Sequence, residues 1–402
     1  MLTEVSNNPE AKMTGLTLQT WPSPAAIKGR LVFVRLGSWV VRCVPAVGGQ
    51  GGLPVTLAAS VAAGMLISGA ASAGCTTSKI PFLNPFSKAS AHHRPIGDDA
   101  VYADDSDPST ESWFKNTGKR ININVGAPWG VSVASTVATD PMVTVGAISR
   151  ICDRIEGVPV TVRMPAEGFV TSVKVNSNGC TDGVVVLYDK TKALPHQLRQ
   201  YNWNGGAPLA GQYKTWSISG LGHGTRPGDR LGTSASGVAA LFGLLRGNEI
   251  NRSNKKVEHA LQMILPSRAS HCAMMMSRQV VLPATSGDGY MNDPGNNLGN
   301  IPYGALMALP PPAKGGPNLE SLGLSDRGKR LAEAVRDYGI YAVDTGDCPA
   351  LRADQFVQNT AELKTALTKI YPYIRRVLNN DVLGTATAGG GAGIAPNCAN
   401  DA

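Results

Sequence analysis

A mainly β protein with packed helices, an α+β chain in the form of a jelly-roll or concanavalin-like β-sandwich, is the fold class the sequence predicts. Three observations lead there. Short β-branched runs are separated by Gly, Pro, Asn and Asp, the pattern of strands and turns. The chain carries 46 Gly and 27 Pro, which disfavours a helical bundle. Apolar residues at helical spacing occur in only a few places, all in the second half. With 16% charged residues and no heptad or three-residue period, coiled coil, collagen and wholesale disorder are excluded. The 402 residues suffice for one large core or two domains.

Residues 1–75 read as a leader. No charged residue lies between Arg42 and Lys79, and Leu53 to Ala73 is apolar with small residues at its end. Arg30, Arg35 and Arg42 precede it, which is the layout of a secretory signal. The stretch is Ala/Gly-rich and interrupted by Pro54, so it suits cleavage better than a permanent membrane helix. Ser72-Ala73-Gly74-Cys75 resembles a lipobox with Ser72 in place of the usual Leu. Two outcomes follow, cleavage after Ala73 or lipidation of Cys75, the latter being the membrane attachment the sequence offers. The expected location is exported: periplasmic, anchored at the outer membrane, or extracellular.

Residues 76–118 show no period and read as a linker or wrapping arm. Residues 119–382 form the expected single sandwich domain with helices. Strands are predicted at Ile121 to Val125, Met142 to Val145, Val158 to Val162, Val184 to Tyr188, Gln279 to Leu282 and Ala305 to Leu309. Val238, Leu241, Phe242 and Leu245 predict a helix capped by Ser234 or Ser236 and closed by Gly247. Leu331, Ala334, Val335 and Tyr338 predict another, begun after Ser325 and stopped by Gly339. A last helix spans about Thr360 to Leu378, with Pro372 as its break. Residues 383–402 read as a flexible tail.

Net charge is +8, of which residues 1–75 supply +3. No basic stripe with interleaved aromatics exists, so nucleic acid is not an expected partner. Beyond Cys75 the cysteines are Cys152, Cys180, Cys272, Cys348 and Cys398, with no CxxC pair to suggest zinc. In an oxidising compartment Cys152–Cys180 and Cys348–Cys398 are the plausible bridges, although spacing does not determine pairing.

Four segments concentrate unusual residues: 222–250, Glu258 to Leu261, Leu282 to Gly289, and Asp337 to Asp344. Each has a plain structural explanation. Arg246 and Glu249 fit a surface ion pair, His259 a hydrogen-bonded core residue, and Asp288 turn chemistry. Their order nevertheless resembles a family of uncharacterised secreted bacterial β-sandwich proteins. The motifs are Ser234-Ala-Ser236-Gly237, G-x-x-R-x-x-E-I at Gly243 to Ile250, H-A-L at His259, P-A-x-x-x-D from Pro283 to Asp288, and A-x-x-x-Y-G-x-Y-x-x-D from Ala334 to Asp344. Leu187-Tyr188-Asp189, Tyr201-Asn-Trp203 and Trp216 agree upstream, so the likeness covers about residues 94–357. The inserted Asn254-Lys255-Lys256 departs from the pattern.

The resemblance implies fold kinship and a shared polar site, in a family suspected of being carbohydrate-active. Read physically, the convergent set is Glu249, His259, Asp288 and Asp344 as candidate catalytic groups, with Asp189, Trp203, Arg246 and Tyr338 around it to bind substrate. Two carboxylates and aromatic platforms are what glycosidic cleavage requires. The leading expectation is a glycoside hydrolase on extracellular or envelope polysaccharide. Its rival is a non-catalytic polysaccharide-binding or envelope protein, and a His/Tyr polysaccharide lyase is third. No cofactor is demanded by these motifs, although the Asp and His groups suit calcium as a hard cation. No dinucleotide loop, P-loop, H-E-x-x-H or nucleophile elbow occurs. Met274-Met275-Met276 beside Cys272 reads as core rather than a soft-metal site.

Overall fold

The protein is described by a computed structural model covering residues 18–20, 32–36, 39–43, 82–118, 121–149, 155–165, 182–203, 206–267, 271–289 and 298–380. Two compact units divide the chain at Ala70/Ala71. In the first, β1 (Leu18–Thr20), β2 (Val32–Leu36) and β3 (Trp39–Cys43) form an antiparallel sheet in sequence order. The signal-like stretch, Cys75 and the tail from Asp381 onward lie outside the described residues.

The second unit is mixed α+β, with strands in several sheets and few helices. It opens with helix α1 (Pro108–Phe114) and strand β4 (Asn122–Val125). A four-stranded sheet contains β5 (Val131–Thr136), β8 (Val184–Asp189), β9 (Leu194–Arg199) and β11 (Gln212–Thr215), in the order β11-β9-β8-β5. A smaller sheet, β10-β6-β7, joins Leu209–Ala210 to Met142–Ala147 and Val160–Arg163. After the single turn of α2 (Gly247–Ile250) come β12 (Leu261–Pro266), β13 (Met276–Val280), β14 (Ile301–Tyr303) and β15 (Leu306–Ala308). Helix α3 (Asp326–Asp337), β16 (Ile340–Gly346), β17 (Ala350–Ala353), α4 (Thr360–Ile370) and β18 (Arg375–Arg376) complete it. The largest sheet has the order β18-β15-β16-β12-β17-β4.

Side-chain alternation assigns each face of these sheets. In the six-stranded sheet Leu261, Met263, Leu265, Ile340, Ala342, Leu351 and Ala353 pack with Leu331, Val335, Leu363 and Leu367 of α3 and α4. Tyr341, Val343, Leu306 and Ala308 point the other way, into a cluster shared with Val131, Val133, Val184, Val186 and Tyr188 of the four-stranded sheet. The second face of that sheet, Val185, Leu187 and Leu198, meets Val145 and Val162 of the small sheet. The segment 82–118 is built in rather than draped: Phe86, Ala91, Ile96 and Trp113 are buried.

Several expectations are corrected. The strands are not uniformly antiparallel: β5–β8, β12–β16, β17–β4, β10–β6 and β13–β14 pair in parallel. A parallel pair requires a long crossover, and α3 lies within the one between β12 and β16. No helix forms at 238–245; the chain there is buried coil. Gly237 (φ 79°) and Gly243 (φ 75°) take left-handed backbone, and a Cβ on Gly243 would meet the Leu261 carbonyl carbon at 2.7 Å. The coil's backbone is satisfied from outside itself, Ala239 N donating to Gly222 O and Leu245 N to Arg352 O. The expected strand Gln279 to Leu282 begins three residues earlier and ends at Val280, as β13. Cys348 bridges Cys272, not Cys398. Cys152 and Cys180 lie outside the described residues. Helix α3 follows its signals, with Ser325 as cap and Gly339 ending it at φ 78°. The last helix is shorter than expected: α4 ends at Ile370, before Pro372, and the chain beyond forms β18 instead of resuming the helix.

Candidate functional site

The segments Ser234 to Gly237 and Pro283 to Asp288 meet at the C-terminal end of β16, an interior strand of the six-stranded sheet. Ser236 N donates to Val343 O, Thr285 N to Ser236 O, and the Ser286 hydroxyl to Ala235 O. A register shift in β16 then brings Asp344 to this junction. Met263 pairs with Ala342 but Ile264 pairs with Asp344, so Val343 is an extra residue. Strict alternation would turn Asp344 toward α3 and α4 with Ile340 and Ala342; the bulge returns it to the opposite face. There Arg352 Nη2 donates to its Oδ2 at 2.7 Å, and both side chains are nearly buried.

Thr345 ties the two acids together. Its backbone N–H donates to Asp344 Oδ1 (3.1 Å), and its hydroxyl donates to Asp288 Oδ2. The Tyr303 hydroxyl lies 3.3 Å from the same Asp288 oxygen, and Ala235 N 3.3 Å from Asp344 Oδ1. Desolvation, then the negative charge of Asp344, push the Asp288 carboxyl above the usual aspartate value, against the pull of Thr345, Arg199 and Tyr303. Asp288 therefore keeps its proton to a higher pH than an ordinary aspartate does, beside an acid that pairs with arginine. That is the division a general acid and its partner need.

Glu249, His259 and Arg246 assemble elsewhere. Glu249 Oε1 accepts from His259 Nε2 at 2.9 Å and from Arg246 N at 2.9 Å. His259 Nδ1 faces Ala260 O at 2.8 Å. Both ring nitrogens thus face oxygen atoms, an arrangement that only the imidazolium form satisfies with two donors. Burial opposes that charge, but Glu249 and the hydrogen bonds prevail and raise the His259 pKa. Arg246 is buried against Asp354, Nε to Oδ2 at 2.8 Å, with Nη1 on Phe82 O. His92 stacks on His259 with ring centroids 4.3 Å apart.

The expected quartet is therefore two pairs, not one centre. Asp344 is level with Ile264, five residues along β12 from His259. At the rise of an extended strand that is about 16 Å. The pairs share a strand, since Arg352 and Asp354 flank Ala353, which bridges to Leu245. The other expected residues serve locally. Asp189 is buried and accepts from Thr191 N and its hydroxyl (2.8 and 2.6 Å), with Arg163 at 3.7 Å. Burial raises its pKa, but the Thr191 bonds and Arg163 prevail and lower it. Tyr338 is buried in the core, and burial, then Glu258 and Asp337, drive its pKa far above neutral. Trp203 is half-buried, donating to Gly206 O.

Thr345, Tyr303 and Arg352 were not singled out by sequence reading. Thr345 lies next to the candidate acid Asp344, which is its only signal, while Arg352 carries none. Among the described residues no group of three or more His, Cys, Asp or Glu side chains is placed to hold a metal ion. Comparison of the chain with protein-family models, with curated proteins and with solved structures finds no match to any of them.

Proposed function

We propose that the protein is an exported glycoside hydrolase that acts on extracellular or cell-envelope polysaccharide, with Asp288 as general acid and Asp344 as its carboxylate partner. The observation that carries this reading is the pair itself: a carboxyl whose pKa is raised by burial and by its neighbour, and an arginine-paired acid, joined through Thr345. In the reaction Asp288 protonates the departing glycosidic oxygen. Asp344 either takes a proton from the attacking water or attacks the anomeric carbon. The Cys272–Cys348 bridge and the signal-like stretch support export. The apolar cluster shared by the six- and four-stranded sheets supports a jelly-roll or concanavalin-like sandwich.

A second reading, non-catalytic polysaccharide binding or an envelope structural role, is favoured by the arginines on Asp344, Asp354 and Asp189. Each such pairing suits an acid that knits loops. Lyase chemistry has less support, because His259 is occupied at both nitrogens and Tyr338 is buried in apolar surroundings.

The test is release of new sugar ends from hexose, pentose and uronate polymers by the parent protein, Asp288→Asn, Asp344→Asn and Glu249→Gln. Products from the parent and from Glu249→Gln, with loss in both folded Asp variants, support the hydrolase. Binding without products in all four favours the second reading. Products that survive in Asp288→Asn overturn the assignment of the acid.

A further inference from the structure

We propose that the stacked His92–His259 pair is an acid-sensitive latch, and that protonation of His92 releases the segment 82–96 from the fold. This rests on geometry away from the carboxylate pair and does not depend on the proposed activity.

His92 is buried and fastens its segment at two points. Its Nδ1 accepts from Gly243 N at 2.9 Å, and its carbonyl accepts from Ala260 N at 2.8 Å. Phe86 and Phe242 close over the ring. Phe86 N, Ser87 N and Ile96 N anchor the rest of the segment on Ile218 O, Gly220 O and Asp337 O.

The charged groups around His92 come from its own segment and from four others. His93 on its own segment lies 4.5 Å away, ring to ring. His259, at the entry to β12, lies 4.3 Å away, and its bond to Glu249 of α2 favours its cationic form. Arg246, ending the buried coil, adds a positive charge. Asp354, after β17, is engaged by Arg246. The two acids in this network are thus committed to other cations. Protonating His92 turns its Nδ1 from acceptor to donor against the Gly243 N–H, and sets a second imidazolium face to face with His259. Burial first, then His259, His93 and Arg246, hold the His92 pKa well below the usual histidine value.

The sign follows from linkage. Closed, His92 is neutral; open, it titrates near the ordinary value of about 6.5. Below that pH each opening takes up about one proton, so the open fraction rises about tenfold per pH unit of acidification. His259 has the opposite shift. Its contribution is complete below its unfolded value and is lost as pH rises through the raised one, so it does not oppose the slope on the acid side.

The experiment is hydrogen–deuterium exchange of the full chain from pH 7.5 to 5, read by mass spectrometry and corrected for intrinsic exchange. Peptides within 82–96 are expected to lose protection about tenfold per unit below pH 6.5, while α3 and α4 hold theirs. His92→Gln keeps an acceptor for Gly243 but cannot titrate, so its profile should be flat. An equal slope in His92→Gln, or no slope in the parent, overturns the latch. Carbon-13 labelling of histidine rings in the parent decides independently if that variant does not fold. A His92 resonance that titrates at the ordinary value with no loss of protection overturns the proposal.

Discussion

Removing one partner of the Arg246–Asp354 pair should cost far more than a surface ion pair does. Asp354 is 1% exposed and the Arg246 side chain 5%, so solvent cannot compensate for a lost partner. Asp354 also accepts from Gly247 N and Phe356 N, both at 3.0 Å through Oδ1. Asp354→Asn keeps an oxygen for those two donors and changes little but the charge. Arg246 is then left buried without its counter-ion, which costs about 3–5 kcal/mol. Arg246→Met strands the carboxylate instead and should cost a similar amount. The double variant should be no worse than the poorer single one, because it leaves no lone charge. Urea denaturation at pH 7 measures all three. Single-variant losses under about 1 kcal/mol, or strict additivity, would refute the reasoning, because a solvated pair behaves that way. The outcome bears on function, since it decides whether the G-x-x-R-x-x-E-I motif at Gly243 to Ile250 is a structural joint.

Three further outcomes follow from the same geometry. Trp113→Ala should lose about 3–5 kcal/mol on denaturation, because the ring is fully buried, stacks on Tyr371 at 4.6 Å and donates to Tyr371 O; a loss under 1 kcal/mol would mean that α1 is only draped on the core. Gly243→Ala should cost at least about 2 kcal/mol, combining positive φ with a backbone clash at 2.7 Å; a neutral result by thermal melting contradicts the buried-coil geometry. Glu249→Gln should flatten the loss of stability that the parent shows as pH rises above the ordinary histidine range, because the His259 pKa is raised chiefly by Glu249 against burial; an unchanged pH profile of melting temperature removes that pair from the account.

Local signals proved reliable where one residue dictates one geometry. Ser325 and Gly339 bound α3 because a side-chain oxygen and a left-handed stop act within one turn. The run Val184 to Tyr188 was recognisable as a strand because it is apolar on both faces, and both faces are covered. The coil 238–246 misled for a related reason. A segment buried on every side has no face, so its apolar spacing carries no information about backbone shape. The bulge that redirects Asp344 depends on pairing with β12, which lies far off in sequence. The same is true of Arg352, whose partner is found only once β16, β12 and β17 are adjacent. Five motifs in order were legible, but their division into two polar centres is a property of strand register.

Whether Asp288 carries a proton that Asp344 helps it keep is best tested by titrating carbon-13-labelled aspartate carboxyls in the full chain. Asp288→Asn assigns the resonance, and Asp344→Asn removes the neighbouring charge. The acid–base pairing predicts a midpoint above the usual aspartate value of about 3.9, and a lower midpoint for Asp288 once Asp344 is neutral. A midpoint at or below the usual value, or one indifferent to Asp344→Asn, would contradict it and leave the two acids as structural ties.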